Sequence, residues 1–270
     1  MKSSLETRLL WLFSISVFAE FVGHGAFGII GKKAWVAYFG VVGIPEPWAW
    51  KLMPLIGAVD VSVGIITLLS PRRAVLLYAT VWGFWTALLR PLAGEPIWET
   101  VERAGNFGLP LAFLLASQSP GWFSRLEIRP LDAGLKHRLA WILRVTTSAL
   151  LIGHGVLAAA VQKPLLQHHL DAVGLPFVPL TAVGGFEIAL GLAVLLDSAG
   201  WLLLFVAAWK IVTESFYPLS GAPFWEFIER GGSYLAPLAL FFLLHQPRSI
   251  SGKQAAHPSP LEVGHSFQKI

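Results

Sequence analysis

The feature that most constrains this chain is a series of eight apolar segments, over roughly residues 9–30, 48–69, 73–90, 96–117, 139–161, 178–196, 200–216 and 223–244. A helix crossing a bilayer needs about 20 mostly apolar residues, because lipid offers no partner for an exposed backbone N–H or C=O. Short loops with Pro, Gly or charge separate the segments, and Pro96 and Pro223 open the fourth and eighth, where proline suits a first helical turn. The expected fold is an all-α integral membrane protein of eight transmembrane helices. Charged residues are 13% of the chain, against about 25% in a soluble domain. That is too little polar surface to coat eight such helices in water.

The first segment follows a short polar start with Lys2 and Arg8. It is longer than a signal-peptide core and lacks a small-x-small cleavage site, so it reads as a retained span. Eight spans put both termini on one side, together with Arg72, Arg73, Arg125, Arg129, Lys136 and Arg138. The other side collects Lys32, Lys33, Lys51, Arg90 and Lys163. The positive-inside rule then predicts cytoplasmic termini in a bacterial inner membrane. No long basic run occurs, so nucleic acid is not an expected partner. The chain has no cysteine, which excludes disulfides, thiolate metal sites and CxxC redox chemistry.

The segments form two sets of four. Arg8, Leu9 and Trp11 reappear as Arg138, Leu139 and Trp141, and Gly23-His24-Gly25 as Gly153-His154-Gly155. Further on, Gly57, Gly64, Trp82 and Thr86 match Gly184, Gly191, Trp209 and Thr213 at a spacing of 127 residues. The strongest match is Pro-x-Trp-Glu-x-x-Glu-Arg-x-Gly, present in both RPLAGEPIWETVERAGNFGLP and YPLSGAPFWEFIERGGSYLAP. Periodic self-similarity of this kind marks a repeated structural unit. The expected organisation is a first four-helix repeat over 1–120, a cytoplasmic linker over 121–137, a second repeat over 138–246 and a polar tail over 247–270. Four spans per unit give both copies the same orientation, side by side about a pseudo-twofold axis along the membrane normal.

Chemistry-bearing residues recur within this frame. Asp60 and Glu187 occupy equivalent positions inside a span, where an ionisable group costs several kcal/mol unless paired or hydrated. They are candidate proton-handling carboxylates. The competing reading is structural, with each tying helices together through His24 or His154. Trp98, Glu99, Glu102 and Arg103, with Trp225, Glu226, Glu229 and Arg230, stand at the outer ends of the fourth and eighth segments and, together with His24 and His154, are the candidate ligand-binding residues. Glu99 and Arg103 are also spaced to pair on one helix face. Lys210 and Glu214 lack charged counterparts in the first unit. Each unit carries one histidine within a span and no second ligand, so a hydrogen-bonded structural role is favoured over haem, and no metal site is expected. His168 and His169 read as a solvated outer loop. Trp82, Trp85 and Trp209 lie inside spans, where they pack against core or lipid or stack on a ring such as a quinone. No Walker, Rossmann, HExxH or GxSxG motif occurs.

GHGAFGIIGKKAWVAYFGVVGIP followed by LIGAVDVSVGIITLLSP resembles the DoxX-like membrane proteins. The match rests on His24, Gly25, Lys33, Gly43, Pro45, Asp60 and Gly64, and in the second copy on His154, Gly155, Lys163, Gly174, Pro176, Glu187 and Gly191. It covers the first half of each unit, and the Trp-Glu-x-x-Glu-Arg block lies outside it. The resemblance implies a four-helix membrane bundle and, for some members, quinone-dependent sulfur oxidation or a redox accessory role. Without cysteine, a redox role here rests on a bound ring, a metal or a partner. Three classes stay open at this point: a quinone-interacting redox protein or subunit, a small-solute or proton-coupled carrier, and a non-catalytic subunit or assembly factor of a membrane complex.

Overall fold

The structure is a computed structural model that describes residues 5–117, 119, 121–127 and 130–245. Arg129 and the tail expected over 247–270 lie outside the described residues. The described chain is helical: α1 (Leu5–Ile30), a 3-10 turn (Lys33–Trp35), α2 (Val36–Val41), α3 (Glu46–Leu69), α4 (Arg73–Leu92), α5 (Trp98–Glu102) and α6 (Ala104–Ala116). After the linker come α7 (Ala133–Ala159), α8 (Pro164–Ala172), α9 (Leu180–Leu196), α10 (Gly200–Leu219), α11 (Trp225–Glu229) and α12 (Gly231–Leu244). Among the described residues, six helices are long and apolar enough to cross a membrane: α1, α3, α4, α7, α10, and α11 with α12 taken together. α6 and α9 are apolar but shorter.

Local sequence explains most boundaries. Asp132 caps α7 by accepting from the Leu135 N–H at 2.7 Å, and Pro164 opens α8 at its first turn. Two expectations change. The apolar segments 96–117 and 223–244 are not single helices. Each breaks at the arginine of its repeated block, with Arg103 at φ −96°, ψ 20° and Arg230 at φ −87°, ψ 14°. These values lie in the bridge region, outside the α-helical basin. Pro96 and Pro223 stand two residues ahead of the helices rather than within them.

The centre of the molecule is built from the first and last helices of each set. α1 and α7 bury 61% of their apolar windows, whereas α3 and α4 bury 33% and 22%. Phe13, Val17, Leu109, Phe113, Leu139, Leu143 and Leu240 meet in the main core. α3, α4, α9 and α10 lie at the periphery and turn Leu55, Val59, Val81, Leu192, Leu196 and Val212 outward. Outward apolar faces on long helices suit lipid contact.

The halves interlock. α11 docks against α1 and α5 docks against α7. A Cβ added to Gly23 would lie 2.5 Å from the Glu229 backbone nitrogen, and one on Gly153 would lie 2.3 Å from that of Glu102. Only glycine permits that approach, so the short helix of each half crosses the first helix of the other at a glycine. Between the halves, Gly105 and Gly232 bring α6 and α12 together. The break at each arginine provides the turn that makes this crossing reachable. The linker runs back along the α3–α4 turn, where the Leu126 N–H donates to the Pro71 carbonyl at 2.8 Å.

Candidate functional site

Two histidine–carboxylate pairs organise the interior. In the first half, His24 on α1 donates from Nδ1 to Asp60 Oδ2 on α3 at 2.8 Å, and Asp60 is wholly buried. In the second, His154 on α7 pairs through Nδ1 with Glu187 Oε2 on α9, also wholly buried. The close approach of α1 to α3 at Gly25 and Gly57, and of α7 to α9 at Gly155 and Gly184, brings each ring within reach of its carboxylate.

The pairs differ in what completes them. Glu187 Oε1 accepts from Trp209 Nε1 at 2.9 Å and lies 3.5 Å from Lys210 Nζ. Lys210 also holds Glu214 at 2.9 Å. Every charge there has an opposite partner, as a low-dielectric interior requires. In the first half Gly83 and Ala87 stand where the sequence register puts Lys210 and Glu214 in the second. Asp60 is one methylene shorter than glutamate, and its Oδ1 has no hydrogen-bond partner. Nor has the Trp82 indole N–H.

The repeated Trp-Glu-x-x-Glu-Arg residues join the halves through ion pairs. Arg230 binds Glu102 across the interface at 2.7 Å, and Arg103 holds Glu99 at 2.8 Å and Glu102 at 3.3 Å. Lys163 reaches Glu99 from the second half, and Lys32 reaches Glu226 from the first at 2.7 Å. Glu229 is buried with Oε2 unpartnered. The two tryptophans differ: Trp98 packs beside Leu157, Ala158 and Leu166, whereas Trp225 is 40% exposed.

A cavity of about 260 Å³ lies in the first half. His24, Trp35, Tyr38, Trp82 and Trp85 form its walls, and Arg103 at the α5–α6 break, Asn106 of α6 and Glu229 of α11 reach into its lining. Trp35 stacks on the His24 ring at 4.3 Å. The site thus combines aromatic walls with a few polar groups, the usual make-up of a small-molecule site, near the lower end of the usual range of roughly 300–1,000 Å³.

Between spans, Tyr38 donates to Glu95, and Arg90 binds Glu95 at 3.1 Å. Burial pushes the Tyr38 phenol well above its ordinary value; the Arg90 guanidinium pulls the other way and the Glu95 bond adds to the rise. Burial also opposes ionisation of Glu95, yet the Tyr38 hydroxyl and Arg90 hold it below the usual carboxylate value.

His169 corrects its expected place in a solvated loop. α8 turns Leu166, His169 and Leu170 inward, and the ring meets Tyr217 edge-on at 4.2 Å. Burial, and then the Arg230 charge, lower its pKa from 6.5 to about 4. The unfolded chain therefore takes up the proton first. Stability is expected to fall as pH drops from about 6.5 to about 4. His169→Gln should flatten that slope in detergent-solubilised unfolding curves; an unchanged slope contradicts the assignment.

Of the residues singled out from the sequence, Asp60 with His24 and Glu187 with His154 come together as pairs. Glu99, Glu102, Arg103, Glu226 and Arg230 join one network. Trp225 lies outside both groupings. Sequence reasoning passed over Glu20, buried on α1 one turn before His24 with Oε2 unpartnered. It also passed over Trp35 and Tyr38. An acidic residue inside an apolar segment was the available signal for Glu20.

The fold and the site define a class: a helical protein with lipid-suited outer faces, an internal ion-pair network and an aromatic cavity beside a histidine–carboxylate pair. Compared with known proteins, the chain matches no family model, no curated protein and no solved structure.

Proposed function

We propose that this chain is an eight-span membrane protein of two tandem four-span units, and that its N-terminal unit binds a quinone-type ring in the aromatic cavity. The observation that carries the binding reading is the cavity itself, with the His24–Asp60 pair in and behind its wall. The residues present fit such a ring. Trp35, Trp82 and Trp85 offer flat apolar faces, and the His24 ring in the same wall keeps Nε2 free of partners among the described residues. When bound, a quinone supplies two-electron, two-proton redox chemistry. With such a ring bound, His24, held by Asp60, would take or give a proton at its Nε2. The paired crossings at Gly23 and Gly153 and the two histidine–carboxylate pairs support the duplicated architecture. α9 and the broken α5–α6 segment serve as the two further spans.

The binding test is a lipid extract and absorption spectrum of protein purified in mild detergent, with titration of short-chain quinones against tryptophan fluorescence. Near-stoichiometric quinone, or saturable quenching that weakens in Trp82→Leu, supports the reading. A quinone-free protein that shows no saturable quenching refutes it and directs attention to a carrier or complex subunit. The topology is tested separately, since the chain has no native cysteine. Ser70→Cys and Ser220→Cys should be labelled by a membrane-impermeant maleimide from opposite sides of sealed vesicles. Labelling from the same side contradicts eight spans with cytoplasmic termini.

A further inference from the structure

The two halves put the same kind of pair, histidine with carboxylate, into different surroundings. In the second half Glu187 has both oxygens engaged, one by His154 and the other by Trp209 and Lys210. In the first, the carboxylate keeps only its histidine, and three polar positions face no protein partner. Asp60 Oδ1 and Trp82 Nε1 are buried and unpaired. The third is His24 Nε2, which has no hydrogen-bond partner among the described residues, on a ring that lines the cavity.

With the imidazole in its single-proton form, the acceptor oxygen Asp60 Oδ2 at 2.8 Å holds that proton on Nδ1. Nε2 is then a bare lone pair beside the cavity, an acceptor that asks its ligand for a donor. A hydroxyl meets that demand by giving its hydrogen to Nε2. A carbonyl has no hydrogen to give and leaves Nε2 facing another lone pair.

We propose that the cavity of the N-terminal half selects the hydroxyl-bearing, reduced form of a ring compound, a hydroquinone, over the corresponding quinone. This rests on the ring-binding reading above and assigns the polarity of that site. His24 acts as the hydrogen-bond acceptor and Asp60 as the residue that positions it. Leaving a buried acceptor without its donor costs about 1–3 kcal/mol, which converts to a preference of roughly five-fold to 150-fold.

The test is an anaerobic titration of the full chain in mild detergent with one short-chain benzoquinone and its hydroquinone, read by tryptophan quenching. Hydroquinone should bind at least about five-fold more tightly. Asp60→Asn, whose amide can turn the imidazole the other way, should erase or invert the preference. Glu187→Gln should leave it unchanged. Equal binding, or tighter binding of the quinone, overturns the polarity while ring binding stands. Binding of neither form overturns both. The wild-type comparison decides the matter even if a variant fails to fold.

Discussion

Lys210→Met is expected to destabilise the protein by about 3–5 kcal/mol, the usual cost of removing one member of a buried ion pair. Lys210 is 2% exposed and stands between Glu187 and Glu214, both buried. Removing its ammonium leaves two carboxylates with less compensation in a medium that screens poorly. The double variant Lys210→Met/Glu214→Leu should recover more than half of the loss. Glu187 would then keep His154 and Trp209, and Asp60 in the first half shows that a buried carboxylate can stand without a lysine. Unfolding of purified protein in mixed micelles, followed by helical circular dichroism, measures both. A single variant within about 1 kcal/mol of wild type, or a double variant as weak as the single, contradicts this account.

The second large effect concerns the cavity. Thr86→Trp is expected to abolish ring binding, with at least a hundred-fold loss of affinity, while the protein keeps its helical content. Thr86 lines the cavity, and an indole there occupies much of its 260 Å³. Thr213→Trp, the matching change in the second half, is the control and should leave ring binding intact. Filling a void commonly leaves stability unchanged or raises it, so lost binding in a stable Thr86→Trp protein points to the cavity rather than to unfolding. Retained binding in that variant removes the cavity from consideration.

Much of this architecture was legible in the sequence, for definite reasons. Long apolar segments bounded by Pro, Gly and charge announced the helices, because backbone satisfaction in lipid leaves few alternatives. The repeated Gly-His-Gly and the acidic residues at Asp60 and Glu187 announced the two pairs, because a carboxylate at that depth needs a partner. The break at Arg103 and Arg230 was not legible. Trp-Glu-x-x-Glu-Arg satisfies helical spacing as well as a helix followed by a turn, and the crossing that selects the turn comes from a glycine on the other half. The docking of α11 on α1 and of α5 on α7 follows from that same long-range contact.

The cavity was hidden for a similar reason. Its walls come from α1, the 3-10 turn, α2, α3 and α4, elements far apart in the sequence. His169 read as solvated because adjacent histidines in a polar loop usually are, yet α8 folds Leu166 and Leu170 inward and carries His169 with them.

The central claim is that ring binding belongs to the N-terminal half, and photo-crosslinking tests it most directly. A short-chain azido-quinone is irradiated with the purified protein and the modified peptides are mapped by mass spectrometry. The account predicts saturable labelling, competed by unmodified hydroquinone, on peptides that contain Trp35, Tyr38, Trp82 or Trp85. Labelling confined to residues 133–244, or spread without competition over the outward faces of α3, α4, α9 and α10, would contradict it.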